Sequence, residues 1–196
     1  MAIPLPDAGG TVWNGSAPIA SGNRVAWRWA PLRSLFALGF AADWEVTGSG
    51  SALAGRALLR PGSMRIEDAS GTADGALLQR ITGVSFMCTM RLTVDLKTAR
   101  IGGSDQGLKG KVRSDPGVCQ APGGAPPVAV PALALDMQQT RGLAVINLAA
   151  TGRPRQPLIV GGLSADGHLS LLTTEQGAAV LPFATAGAGT KIETDL

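Results

Sequence analysis

Apolar and polar residues alternate with a period of two along much of this chain, the signature of strands that bury one face. Val25, Trp27 and Trp29 alternate with Arg24, Ala26 and Arg28, and Leu38, Phe40, Ala42, Trp44 and Val46 repeat the pattern in the clearest strand. Further on, Leu92, Val94 and Leu96 oppose Arg91, Asp95 and Lys97, which predicts a sheet with one wet face. The same reading places strands at 52–59 and 63–68, joined through Pro61-Gly62, and at 84–90, 108–113, 128–137, 142–150 and 158–163. Asp166-Gly167 closes a tight hairpin onto a strand at 169–172. Near the start, two short strands flank an Asn14-Gly15 turn, so all four tryptophans are expected on strands. Leu77, Leu78 and Ile81 share helical spacing and predict one short helix over 73–81. The proline- and glycine-rich stretch 115–131 reads as loop, with at most a weak domain break. The fold expected is mainly β: a single curved antiparallel sheet, or an open β groove or sandwich, with one short helix, in one domain over 1–196.

Composition supports this picture. Of 196 residues, 27 are glycine and 13 proline, spread throughout, as many short strands require. With 45% apolar and only 16% charged residues, the chain is expected to fold. No apolar run approaches the roughly 18 to 20 residues of a membrane-spanning helix, and residues 1–10 lack the pattern of a signal peptide. Net charge is +3, unevenly placed: residues 1–113 hold 13 Lys and Arg against 8 Asp and Glu, and residues 114–196 hold 4 against 6. No basic run appears, so nucleic acid is not an expected partner. The basic bias reads as a solvated arginine-rich face in preference to an anionic membrane surface.

Candidate chemistry is sparse. His168 is the one histidine, placed beside a hairpin tip where it reads as an exposed surface residue, and no GxSxG elbow or P-loop occurs. Asp43 and Glu45 share a strand face opposite Trp44 and read as solvated carboxylates. No catalytic residues, cofactor or metal are expected, since two cysteines and one histidine are too few for a zinc site. Cys88 and Cys119 lack CxxC spacing. They read as a disulfide, which implies an oxidising compartment, with two unrelated buried thiols as the alternative. Four tryptophans, Trp13, Trp27, Trp29 and Trp44, fall in the first quarter of the chain, as core or as a binding surface. The candidate apolar groove or partner surface comprises Trp27, Trp29, Phe40, Trp44 and Leu92.

Several segments carry a family resemblance. Residues 10–17, Gly-Thr-Val-Trp-Asn-Gly-Ser-Ala, and 25–32, Val-Ala-Trp-Arg-Trp-Ala-Pro-Leu, resemble the opening of the type II secretion system protein N family. Gly71-Thr72-Ala73-Asp74, the pair Cys88 and Cys119, and Gly162 to Leu169 are similar to that family in order and spacing. The resemblance implies a β-rich periplasmic domain of the bacterial general secretion machinery, anchored in the inner membrane by an N-terminal helix missing from this chain. It implies a non-enzymatic assembly or scaffold protein with other secretion-system proteins as partners. The alternative is a lipid-binding or lipid-transfer β groove of the bacterial envelope.

Overall fold

The computed structural model describes residues 8–19, 22–48, 50–75, 87–120, 126–181 and 187–195. Period-two patterning produces strands nearly throughout: β1 (Gly9–Gly10), β2 (Asn14–Ile19), β3 (Asn23–Trp29), β4 (Phe40–Gly48), β5 (Ser51–Arg60), β6 (Ser63–Asp74), β7 (Met87–Cys88) and β8 (Arg91–Ile101). There follow β9 (Gly107–Ser114), β10 (Gly117–Gln120), β11 (Val128–Val130), β12 (Leu133–Thr140), β13 (Leu143–Ala150), β14 (Pro157–Ser164), β15 (His168–Thr173) and β16 (Lys191–Asp195). Among the described residues two short helices interrupt them, α1 (Pro31–Ala37) and α2 (Glu175–Val180).

Thirteen strands form one antiparallel sheet in the order β1-β2-β3-β4-β5-β6-β8-β9-β12-β13-β14-β15-β16. Neighbours in the sheet are mostly neighbours in the chain, because tight turns return each strand beside the last. At the β14–β15 hairpin Gly167 takes φ 99°, the left-handed conformation that glycine adopts without steric cost. β1 and β16 each pair on one side, so the sheet is open and not closed into a barrel. β7, β10 and β11 leave the meander and form a three-stranded sheet in the order β11-β10-β7.

Across β3 to β6 the two faces differ sharply. Arg28, Asp43, Arg56 and Glu67 lie opposite one another across β3, β4, β5 and β6 on the polar face. Arg56 pairs there with Asp68, and Lys111 with Asp136 at 3.3 Å. The other face is apolar, and two buried clusters lie on it. One joins Val46, Ala73 and Leu92. In the other, the small sheet and α2 meet the large one, and Cys119, Val130, Leu133, Leu158 and Leu181 are buried together.

Several expectations are corrected. Asn14 and Gly15 lie inside β2 and not in a turn, and Trp13 is outside any strand. The turn sits earlier, at 11–13, closed by Thr11 N–H to the Asn14 carbonyl at 2.8 Å and by Asn14 N–H to Thr11 Oγ1 at 3.2 Å. The stretch 115–131 contains β10 and β11, and Pro131, which lacks a backbone donor, separates β11 from β12. Of the helix expected over 73–81, Ala73 and Asp74 end β6, and residues 76–81 lie outside the described residues.

Candidate binding face

The register of the large sheet aligns the apolar residues into rows that cross it from side to side. One row runs Ala17, Val25, Val46, Leu53, Gly71, Val94, Val112, Leu135, Leu148, Ile159 and Thr173, from β2 to β15. A second begins Gly15, Trp27, Trp44, Gly55, passes the bulge at Gly55 to Ala69, and continues Leu96, Gly110, Met137, Ile146, Gly161, Leu171 and Ile192 on β16. Neither row contains a charged side chain. At the usual strand spacing the second row measures about 50 Å along the sheet.

Each candidate site residue has a definite place on this face. Trp27 and Trp44 are cross-strand partners in the second row and are half-buried. Trp29 and Phe40 lie nearer one end of the sheet and are also half-buried. Trp13, from the β1–β2 turn, packs on both, with ring centroids 4.4 Å from Trp29 and 6.0 Å from Phe40. Leu92 is buried in the cluster with Val46 and Ala73, against which Trp44 packs. Four of the five therefore form an aromatic floor at the β3–β4 side, and the fifth is a core residue farther along. The extension of the same face across β9 to β15 escaped sequence reasoning, because 143–148 and 158–163 are apolar nearly throughout and show no alternation that would separate one face from the other.

Two of the three tryptophans on the floor, Trp27 and Trp44, lie over glycines. Trp27 donates its indole N–H to the Val12 carbonyl at 3.1 Å, and its ring covers Gly15, where a Cβ would come within 2.4 Å of it. Trp44 covers Gly55 in the same way, at 2.7 Å. Trp29 donates to Ser34 Oγ at 2.8 Å and so ties β3 to α1.

Polar groups gather elsewhere. Asp43 is exposed on the polar face and pairs with Arg33 at 2.7 Å, and Glu45 lies two residues along the same face. His168 is exposed but not free: Nδ1 lies 3.0 Å from Asp195 and Nε2 3.4 Å from Glu193, both on β16. These carboxylates raise its pKa above the ordinary 6.5, Asp195 most strongly. The nearby Ser164 hydroxyl donates to Asp166, holding that carboxyl below its ordinary range, and also contacts the His168 carbonyl. No group of three or more His, Cys, Asp or Glu among the described residues could hold a metal ion. No helix among them is long and apolar enough to cross a membrane.

Cys88 and Cys119 are joined by a disulfide across the β7–β10 ladder, where they stand directly opposite each other. The bridge ties β7 to β10 within the small sheet, and Cys119, buried with Leu133 and Leu158, packs that sheet against the large one. No curated protein and no solved structure matches the chain. The sequence does match the family described as Type II secretion system (T2SS), protein N, over residues 2–186, which carry the first apolar row entire and the Cys88–Cys119 bridge, and the chain therefore belongs to that family as a type II secretion component.

Proposed function

We propose that this chain is a non-enzymatic assembly protein of the type II secretion machinery that works in the periplasm and takes other secretion-system proteins on its apolar sheet face. The observation that carries this reading is the pair of charge-free rows crossing an open sheet, because a continuous apolar surface of that extent is a binding surface before it is anything else. The disulfide supports an oxidising compartment, and with it the periplasm. The family resemblance supports attachment to the inner membrane as part of this reading. Absence of turnover is supported by the engagement of His168: both ring nitrogens face carboxylates on β16, and among the described residues Ser164 Oγ meets the His168 backbone and Asp166. No nucleophile and base are aligned there.

One observation favours a second reading, in which the occupant is a lipid. The two central rows offer hardly any side-chain donor or acceptor, and a peptide lying in them would leave its backbone polar groups unpaired unless it folded onto itself. An acyl chain has no such requirement.

Site-specific photo-crosslinking in the intact bacterial envelope separates the two. With a photoreactive residue in place of Trp27, Trp44 or Leu171, adducts with secretion proteins support the assembly reading, and adducts of lipid mass support the second. Crosslinking from the polar face at Glu45, with none from the apolar positions, overturns both.

A further inference from the structure

Helix α1 is amphipathic in the inverted sense. Its polar side chains hold it to the sheet: Ser34 Oγ accepts from Trp29 Nε1 at 2.8 Å and from the Ala41 N–H at 2.9 Å, and Arg33 reaches Asp43 at 2.7 Å. Arg60 closes the helix C-terminus with two bonds to the Ala37 carbonyl, at 2.9 Å and 2.5 Å. The large apolar side chains point the other way. Leu32 is 71% exposed, Leu35 69%, Phe36 83% and the C-cap residue Leu38 83%, and no residue of the helix is buried. A surface helix ordinarily does the reverse, burying its apolar stripe and wetting its polar one. Here the polar anchors fix an apolar tip in the outward position.

A basic cavity lies at the same end of the sheet, reached through Arg60. Its volume is about 320 Å³, and Arg60, Arg65, Arg100, Ser63 and Ser104 line it. Arg65 pairs with Glu67 at 3.5 Å and Arg100 with Asp105 at 2.5 Å, whereas Arg60 makes no ion pair among the described residues. Three guanidinium groups thus face two carboxylates, leaving the cavity with net positive charge. Arg100 Nε is buried there without a hydrogen-bond partner among the described residues. Gly102 and Gly103, at φ 76° and 75°, turn the chain so that Ser104 and Asp105 complete the wall.

We infer that the α1 end of the sheet docks on an anionic phospholipid bilayer, with Leu32, Leu35, Phe36 and Leu38 entering the acyl boundary and the cavity of Arg60, Arg65 and Arg100 receiving a headgroup phosphate. Two observations select a bilayer as the occupant. The apolar side chains protrude, so a protein partner would have to provide a matching recess, while the fluid interface of a bilayer accommodates protrusions without one. The cations stand immediately beside the apolar tip, the relationship that acyl chains and phosphates have in a membrane surface. Arginine further suits phosphate, whose oxygens accept two parallel bonds from one guanidinium. This inference rests on neither reading of the apolar face, because α1 and the cavity lie at the end of the sheet, outside the two rows.

The test is flotation of the purified chain with vesicles of phosphatidylcholine mixed with phosphatidylglycerol, against vesicles of phosphatidylcholine alone. Binding is expected to the mixed vesicles, and the double variant Leu35→Ser, Phe36→Ser is expected to weaken it at least about tenfold. Both positions are exposed, so the variant keeps its fold, checked by its β-sheet circular dichroism. The pair Arg65→Gln, Arg100→Gln is expected to remove about tenfold of the preference for phosphatidylglycerol while sparing binding to neutral vesicles. The inference is overturned if the native chain floats with neither vesicle, if both variants bind as it does, or if inorganic phosphate binds saturably while mixed vesicles do not. It is equally overturned if Leu35→Ser, Phe36→Ser changes only self-association of the chain in sedimentation.

Discussion

Trp44 lies flat across Gly55, its partner on the next strand, so that the indole occupies the space a side chain at Gly55 would need. Trp27 does the same to Gly15 on its own far side, so the two tryptophans, opposite each other in β3 and β4, turn outward over glycines. The arrangement converts two narrow, protruding side chains into a continuous apolar floor. Glycine within a strand weakens it, and an aromatic ring laid over the gap restores the lost packing.

Gly55→Val therefore tests whether that floor is needed. A Cβ at this position would meet Trp44 Cζ2 at 2.7 Å and the Ala69 Cα at 3.0 Å, so the ring has to leave and the backbone cannot yield on the other side. Overpacking of this kind costs about 1–3 kcal/mol. The expected outcome is a lower urea midpoint with an unchanged slope, together with a red-shifted tryptophan emission as Trp44 becomes exposed. An unchanged midpoint and spectrum would show that the ring is not held by Gly55.

The Cys88–Cys119 bridge closes a loop with a sequence separation of 31, which on the loop-entropy account stabilises the folded chain by about 3–4 kcal/mol. Its removal has a local consequence as well, because Cys119 is fully buried among Val130, Leu133 and Leu158. Reduction, or Cys88→Ser with Cys119→Ser, is expected to lower unfolding free energy by about that amount. Hydrogen exchange should then show amide protection lost first in β10 and β11, with β3 to β6 retaining theirs. Uniform loss of protection across both sheets would contradict the assignment of the bridge to the small sheet.

Legibility in the sequence followed the range of each interaction. The alternation of Trp27, Trp29 and Trp44 with Arg28, Asp43 and Glu45 is a local pattern, and it assigned those residues to opposite faces of one sheet. Helix α1 escaped because its seven residues hold no stripe to bury; the available signal was Pro31, which suits the first position of a helix after the strand ends at Trp29. β10 escaped because a strand of four residues has too few positions to show alternation, and the disulfide and the buried cluster hold it from a distance, while β11 and β12 read as one strand over 128–137 that the structure breaks at Pro131. The same holds at the other edge. His168 read as an exposed residue beside a hairpin tip, and its partners, Glu193 and Asp195, are more than twenty positions away in the chain.

That last pairing gives strand β16 a pH dependence whose sign can be worked out. β16 is an open edge, exposed throughout and paired only with β15. Across that pair His168 faces Asp195 and Glu193, with Lys191 on Glu193 at 2.6 Å and Asp166 near the His168 backbone. Asp195 foremost, and then Glu193, raise the histidine pKa above 6.5 in the folded chain. The stabilisation this supplies is therefore complete below 6.5 and is lost as pH rises through the raised value. Glu193 acts at the other limit. Lys191 foremost, and then His168, lower its pKa below 4.5, so its contribution is present above 4.5 and is lost as pH falls through the lowered value. β16 is accordingly held best in the window between 4.5 and 6.5. Hydrogen exchange at Glu193 and Thr194, corrected for the intrinsic pH dependence of the amides, should show protection falling as pH is raised from about 6 to about 8. His168→Asn should leave that profile flat over the same range. If the variant loses protection along the same curve as the native chain, the edge strand is responding to some group other than His168.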